Sequence, residues 1–112
     1  MMYEVIATPT FKLCLDRLSQ FLQTKYSPQK ARETKSNIKK VLAKNLSQNP
    51  LIAPVSNRLL EIGIRDYRQY PVDKNNMVFY RINEDKKQVV LIAAMDSRQS
   101  IQKLLLEVLL LS

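Results

Sequence analysis

The sequence predicts an α+β fold in which a strand and a helical hairpin precede a three- to four-stranded antiparallel sheet and a C-terminal helix. A β-branched apolar run opens the chain, and two stretches with helical apolar spacing each follow a hydroxyl residue and a proline, at Thr8-Pro9 and Ser27-Pro28. From residue 58 onward, apolar segments alternate with polar turns. This order of elements is typical of α+β folds. With 112 residues, we expect one domain spanning residues 1–112.

The first half of the chain predicts a strand and two helices. Residues Tyr3 to Thr8 form a short β-branched run that ends at Pro9 and indicates the first strand. Thr8 and Ser27 are suited to cap the two helices, because their hydroxyls accept hydrogen bonds from backbone amides that have no partner in the first turn. The predicted buried stripes are Phe11, Cys14 or Leu15, Leu18, and Phe21 or Leu22 in the first helix, and Ala31, Ile38, Val41, Leu42 and Leu46 in the second.

The second half predicts strands separated by turns. Residues 51–57 are expected to form a loop, and the partial alternation of residues 58–64 and 67–72 indicates two strands with a bend at Gly63. Residues 73–76 and 83–87 predict turns on either side of a strand at 77–82. Residues 89–94 are continuously apolar, which predicts a central strand that is covered on both faces.

The C-terminal segment, residues 100–111, predicts a helix that is apolar on nearly all sides. A membrane span needs about 20 apolar residues. This segment is shorter and contains Lys103 and Glu107, so we expect no membrane span. The excess of apolar surface predicts that the helix packs on its own sheet and also against a second copy or another chain. Burial within the monomer is the simpler alternative.

Composition excludes several classes of function. The chain has no histidine, one cysteine and one glycine, which argues against a metal centre, a Ser-His-Asp triad and a glycine-rich phosphate loop. We therefore expect no metal and no cofactor. The formal charge of +8 predicts an anionic partner. The absence of a cysteine pair and of a leader pattern predicts a reducing, cytoplasmic location.

A set of ordered motifs in the second half resembles a known toxin superfamily. Arg68 precedes Tyr70-Pro71-Val72, the next strand ends in Phe79-Tyr80-Arg81, and residues 97–101 read Ser-Arg-Gln-Ser-Ile ahead of Leu104-Leu105. This order and spacing resemble the RelE/ParE superfamily of type II toxin–antitoxin toxins, and most closely its ParE, plasmid-stabilisation branch. The resemblance covers most of residues 60–105.

The resemblance implies a toxin that inhibits DNA gyrase by binding, without enzymatic activity, and that a cognate antitoxin neutralises. It implies either a homodimer or a toxin–antitoxin hetero-oligomer. The target-binding residues predicted on this basis are Arg68, Tyr80, Arg81, Arg98, Gln99 and Ile101. The predicted antitoxin-binding residues are Leu104, Leu105, Val108 and Leu109.

The alternative that the resemblance implies is a RelE-like, ribosome-dependent messenger-RNA endonuclease that needs no metal. Its catalytic groups would be Arg68, Tyr80, Arg81 and Arg98. Two departures from the family pattern favour the ParE-like interpretation. Met77 stands where the ribonucleases typically have an arginine, and Met95 stands where many relatives have a histidine. A third hypothesis is a nucleic-acid or partner-binding domain without toxicity, because Lys35, Lys39, Lys40 and Lys44 form a basic strip on the second helix.

Overall fold

The computed structural model describes residues 2–100, 102–104 and 106. The elements follow the order β1 (Glu4–Ala7), α1 (Pro9–Lys25), α2 (Pro28–Gln48), α3 (Asn57–Glu61), β2 (Arg68–Pro71), β3 (Asn76–Asn83) and β4 (Gln88–Asp96). Residues 102–104 and 106 are also helical, Ser100 precedes them without helical structure, and residues 101, 105 and 107–111 of the predicted C-terminal helix lie outside the described residues. The α+β class that the sequence predicts is confirmed.

The four strands form one sheet in the order β1-β4-β3-β2. Strands β2, β3 and β4 form the predicted antiparallel meander. Strand β1 joins the free side of β4 in parallel, with Val5 opposite Val89, so the sheet as a whole is mixed. The predicted central strand is therefore interior, because β4 has a neighbour on each side.

Both helices of the hairpin begin where the sequence predicts. The Thr8 hydroxyl accepts a hydrogen bond from the backbone N of Phe11 at 3.1 Å, and the Ser27 hydroxyl accepts one from the backbone N of Lys30 at 3.0 Å. Each cap satisfies one amide that has no intrahelical partner, and the proline that follows tolerates the first turn. The predicted apolar stripes are buried, except that Phe21 and Val41 are only partly covered.

The sheet is covered on both faces. Val78 and Tyr80 of β3 pack in a cluster with Leu18 and Leu42 of the hairpin. The neighbouring side chains Met77 and Phe79 pack in a second cluster with Leu59 and Leu104. Because successive side chains of a strand point to opposite faces, this two-sided burial explains why β3 and β4 are apolar without alternation.

Residues 58–64 correct one prediction. They form the short helix α3 and the turn after it, not a strand. The Ser56 hydroxyl accepts a hydrogen bond from the backbone N of Leu59 at 3.3 Å and so caps the helix. Gly63 follows the helix with φ of +83°, a left-handed conformation that glycine adopts without strain. The partial alternation of this segment therefore reflects the burial of Leu59 in a helix. It does not reflect the pairing of a strand.

Within the described part of the chain, no helix combines the length and the hydropathy that a membrane span requires.

Candidate functional site

The sheet separates the predicted target-binding residues into two groups. Arg68 lies opposite Tyr80, and Arg81 lies opposite Val90, whereas Asp96, which precedes Arg98, lies opposite Asn76. Five steps along β3, from Asn76 to Arg81, correspond to roughly 17 Å at about 3.3 Å per residue. Arg98 and Gln99 are therefore at the opposite end of the sheet from Arg81, and the candidate catalytic groups do not converge.

Tyr80 is a buried support for a loop. Its side chain is fully buried, and its hydroxyl donates a hydrogen bond to the carbonyl oxygen of Pro50 at 2.6 Å. Burial raises the pKa of Tyr80, although the Ala53 backbone and the charge of Arg68 oppose that rise. That Tyr80 contacts a target stays a prediction, and in this structure its side chain has no exposed surface.

Arg68 supports the same loop from the edge strand. Its side chain is half-buried, and its Nη1 donates a hydrogen bond to the carbonyl oxygen of Ala53 at 2.5 Å. Arg68 also pairs with Val55 through an isolated bridge. Of the three predicted residues at this end of the sheet, only Arg81 has an exposed side chain. It is the one best placed to meet a large partner.

Arg98 is held on several sides at the end of β4. Its Nε and Nη2 donate to the two carboxylate oxygens of Asp96 at 2.7 and 2.6 Å. Its Nη1 donates to the hydroxyl of Tyr26, and its guanidinium carbon lies 5.2 Å from the centre of the Tyr26 ring and 5.7 Å from that of Phe21. These contacts attach the turn after β4 to the C-terminal part of α1.

The Asp96 carboxylate organises that turn. It is 1% exposed. Burial alone would raise its pKa, but the hydrogen bonds and the charge of Arg98 outweigh that effect and hold the pKa below its usual value. The Gln99 side-chain oxygen accepts a hydrogen bond from the backbone N of Asp96 at 2.9 Å. Gln99, predicted to bind the target, thus also stabilises the turn that presents Arg98.

The turn between β2 and β3 lies against this turn. The backbone N of Ser97 donates to the carbonyl oxygen of Asn75 at 2.7 Å. The Asp73 carboxylate accepts hydrogen bonds from the backbone N of Asn75 and of Asn76, and from the Asn76 amide, each at 2.9 Å. The two turns therefore form one rigid end of the sheet, beside α1.

A groove opens at this end, between the C-terminal half of α1 and the segment after β4. We call it the basic groove. Its volume is about 580 Å³. It is lined by Arg17, Gln20, Phe21, Thr24, Arg98, Gln99, Ser100, Lys103 and Leu104. Among these described residues there is no carboxylate, so the groove is positively charged.

A second groove, which we call the apolar groove, lies between the helical hairpin and the β1–β4 edge of the sheet. Its volume is about 410 Å³. It is lined by Val5, Ala7, Phe11, Lys12, Leu15, Asp16, Lys35, Lys39, Leu42, Ala43 and Leu91. Lys35 Nζ lies 3.7 Å from an Asp16 carboxylate oxygen, which leaves Lys12 and Lys39 as the charges without a salt bridge among the described residues of this groove.

The predicted antitoxin-binding residues are only partly described. Leu104 is 3% exposed and packs in a cluster with Phe79 and Met95, and its contact with an antitoxin stays a prediction. Leu105, Val108 and Leu109 lie outside the described residues, as does Ile101 of the target-binding set.

Met77 and Met95 are both buried in the cluster that contains Phe79 and Leu104, where they fill apolar space. Thioether side chains can neither donate nor accept a proton in acid–base catalysis. No group of three or more described His, Cys, Asp or Glu side chains is placed to hold a metal ion.

Sequence reasoning missed both grooves and the role of α1 in each. Tyr26 and Phe21 contact Arg98 from a helix more than 70 residues earlier in the chain, a pairing that no local pattern indicates. The Asp96-Ser97-Arg98 order was a usable signal, because an acid two residues before an arginine at a strand end can form such a pair.

Comparison with solved structures first defines the class. A chain of the toxin–antitoxin complex RelBE2 from Mycobacterium tuberculosis superposes with a TM-score of 0.65 at 18% identity, over 86% of this chain and 99% of that chain. A chain of the chromosomal ParDE toxin–antitoxin system of P. aeruginosa gives a TM-score of 0.66 at 15% identity, over 85% and 96%. These likenesses define a RelE/ParE toxin fold.

Comparison of sequences then defines the family. The profile described as ParE toxin of type II toxin–antitoxin system, parDE, matches residues 5–101. No curated protein sequence matches the chain significantly. The chain belongs to the ParE toxin family of type II toxin–antitoxin systems, as the motifs of its second half predict.

Proposed function

We infer that this toxin inhibits DNA gyrase by binding and does not cut RNA. The observation that supports this most directly is the separation of the groups that a ribonuclease would need. Tyr80 is fully buried, and Arg98 lies at the other end of the sheet from Arg81. Acid–base catalysis requires its groups within hydrogen-bond reach of the same reacting atoms. Inhibition by binding needs only a rigid surface that contacts the partner, so it does not require these groups to lie close together.

The target-binding surface that we propose is the rigid end of the sheet, with Arg98 and Gln99 on its turn. The Arg98 side chain is 38% exposed although three of its nitrogen atoms are hydrogen-bonded, so it can be presented in a fixed orientation. A pre-organised arginine loses little conformational entropy on binding. Arg81 provides a second, separate contact, and Ile101 remains part of the proposal. Arg68 and Tyr80 act indirectly, by holding the 50–55 loop.

The apolar groove is the proposed site of the cognate antitoxin. Its floor is apolar, with Phe11, Leu42 and Leu91, and Lys12 and Lys39 stand at its edge. An amphipathic helix with acidic residues on its polar side fits such a groove. The two solved relatives come from toxin–antitoxin systems, which supports a protein partner of this kind. Leu105, Val108 and Leu109 remain predicted antitoxin contacts.

The test is supercoiling of relaxed plasmid by gyrase in the presence of increasing amounts of the purified chain, with and without the antitoxin encoded beside it. We expect inhibition that the antitoxin reverses. Gyrase activity that persists at a large excess of folded protein, together with messenger-RNA cleavage on ribosomes, would overturn the proposal in favour of the RelE-like endonuclease.

The surface is tested by Arg81→Glu, with Lys86→Glu as the matched control in the exposed turn between β3 and β4. We expect the first variant to need about tenfold more protein for half inhibition, because one exposed contact of an interface contributes on the order of 1.4 kcal/mol. The control should inhibit like the parent chain. Equal inhibition by all three would remove Arg81 from the target surface.

A further inference from the structure

We propose that the basic groove binds the phosphodiester backbone of a nucleic acid. The charged side chains that line it among the described residues are all cations, namely Arg17, Arg98 and Lys103. The other polar lining groups are the amides of Gln20 and Gln99 and the hydroxyls of Thr24 and Ser100. Arginine, lysine, amide and hydroxyl side chains are the groups that proteins use to contact phosphate oxygens.

Arg98 is already oriented for such a contact. A guanidinium has five N–H donors. Three of them are engaged, two by Asp96 and one by Tyr26. The remaining two are free of described partners and can bind a phosphate oxygen without rearrangement. Because Asp96 partly offsets the charge of Arg98, the electrostatic attraction comes mainly from Arg17 and Lys103.

The positive surface continues beyond the groove. Arg98 also lines an adjacent depression of about 410 Å³, whose walls include Lys30 and Lys74. The carboxylates of Asp73 and Asp96 lie there as well. Each is internally bonded, Asp73 to Asn76 and Asp96 to Arg98, which reduces their repulsion of an anion. A polyanion crossing Arg98 would therefore meet cations on both sides.

The chemistry of the groove favours nucleic acid over an acidic peptide. Peptide-binding sites obtain most of their affinity from buried apolar anchors. Here Leu104 is 3% exposed, the Arg98 guanidinium lies over the Phe21 ring, and the lining is about as polar as it is apolar, whereas the lining of the apolar groove is mostly apolar. Phosphate contacts need no apolar anchors, because their affinity arises from the release of counterions. This inference goes beyond gyrase inhibition, since the groove can bind nucleic acid without gyrase.

The test is fluorescence anisotropy of the purified chain with labelled duplex DNA, single-stranded DNA and RNA of equal length, without gyrase. Three phosphate contacts predict a slope of log affinity against log salt of about −2.7 on duplex DNA, or about 40-fold weaker binding at about 200 mM than at about 50 mM salt. Whichever probe binds most tightly identifies the nucleic acid. Binding to none of the three would overturn the proposal.

Two charge-matched double variants locate the site. Arg17→Glu with Lys103→Glu should weaken binding by at least about 30-fold, whereas Lys40→Glu with Lys44→Glu, exposed on α2, should weaken it by less than about threefold. Equal losses would mean that net charge alone drives binding and would overturn the assignment to the groove. Tighter binding of polyglutamate than of any nucleic acid would overturn it in favour of an acidic protein.

A double variant that neutralises the two cations, without reversing their charge, controls for misfolding. Arg17→Gln with Lys103→Gln removes two cations without adding negative charge and should reduce the slope on duplex DNA from about −2.7 to about −0.9. Thermal unfolding of every variant checks that it is folded. An unchanged slope in a folded Gln variant would show that these two side chains do not contact phosphates, and the proposal would fail.

Discussion

The apolar groove and the basic groove share one helix but differ in chemistry. The N-terminal half of α1 lines the first with Phe11 and Leu15, and its C-terminal half lines the second with Arg17 and Gln20. The partners of α1 differ as well: α2 and the β1–β4 edge face its first half, and the polar turn after β4 faces its second half. The character of each groove therefore follows both from the side chains that α1 supplies and from the elements that pack beside them.

The largest expected effect comes from a variant that alters the apolar groove alone. Ala43 is exposed and lines this groove, so Ala43→Glu should fill it and repel an acidic antitoxin. We expect antitoxin affinity to fall about 100-fold, which is about 2.7 kcal/mol. Ser36→Glu, also exposed on α2 but outside the groove, is the control for added charge. Isothermal titration with the antitoxin measures the difference.

Nucleic-acid affinity, measured by fluorescence anisotropy, should change little for either variant. A loss of affinity shared by Ser36→Glu and Ala43→Glu would place the antitoxin elsewhere on the molecule.

A second variant removes the contacts that hold Arg98 in the basic groove. Asp96→Ala removes a buried carboxylate and the three hydrogen bonds that it accepts from the backbone N, Nε and Nη2 of Arg98, so we expect the free energy of unfolding to fall by about 2 kcal/mol. Urea denaturation measures this. In folded protein the nucleic-acid affinity should change, because Arg98 loses both its fixed orientation and the neighbouring negative charge, while antitoxin affinity is retained. Weakening of both affinities to the same extent would mean that the two grooves are not independent.

A third variant lies outside both grooves and sharpens the distinction between support and function. Tyr80→Phe loses the hydrogen bond from the hydroxyl to Pro50 and leaves that buried carbonyl without its donor. We expect a loss of about 1.5 kcal/mol in the free energy of unfolding. Gyrase inhibition and nucleic-acid binding by the folded variant should match those of the parent chain. Impaired activity at unchanged stability would instead assign Tyr80 a direct role.

The smallest effect concerns pH. Because the folded protein holds the pKa of Asp96 below its ordinary value, the unfolded chain takes up a proton first as pH falls. The stability from the Asp96–Arg98 pair is therefore present above the ordinary carboxyl range and is lost as pH falls through the folded pKa. Urea midpoints below about pH 4 should decline less steeply in Asp96→Asn than in the parent chain. Parallel declines would exclude Asp96 as a source of the acid sensitivity.

Much of the architecture was predictable because its signals are local. Thr8 and Ser27 cap the helices that they were expected to cap, and residues 89–94 lie within an interior strand. Residues 58–64 were mispredicted because Ser56 caps a short helix there, a hydrogen bond that competes with partial strand alternation. Among the candidate site residues, the sequence singles out Arg98, but its contacts with Tyr26 could not be predicted from it.

The sequence by itself determined the α+β order of elements, the positive charge and the family motifs, because helix caps, apolar periodicity and composition depend on neighbouring residues. Tertiary structure alone decided which motif residues are accessible. Tyr80 and Leu104 belong to the recognised motifs, yet packing removes them from the surface. It also decided that β1 pairs in parallel with β4 and that α1 lines two grooves. These outcomes depend on contacts between residues far apart in the chain, whose energies no local pattern encodes.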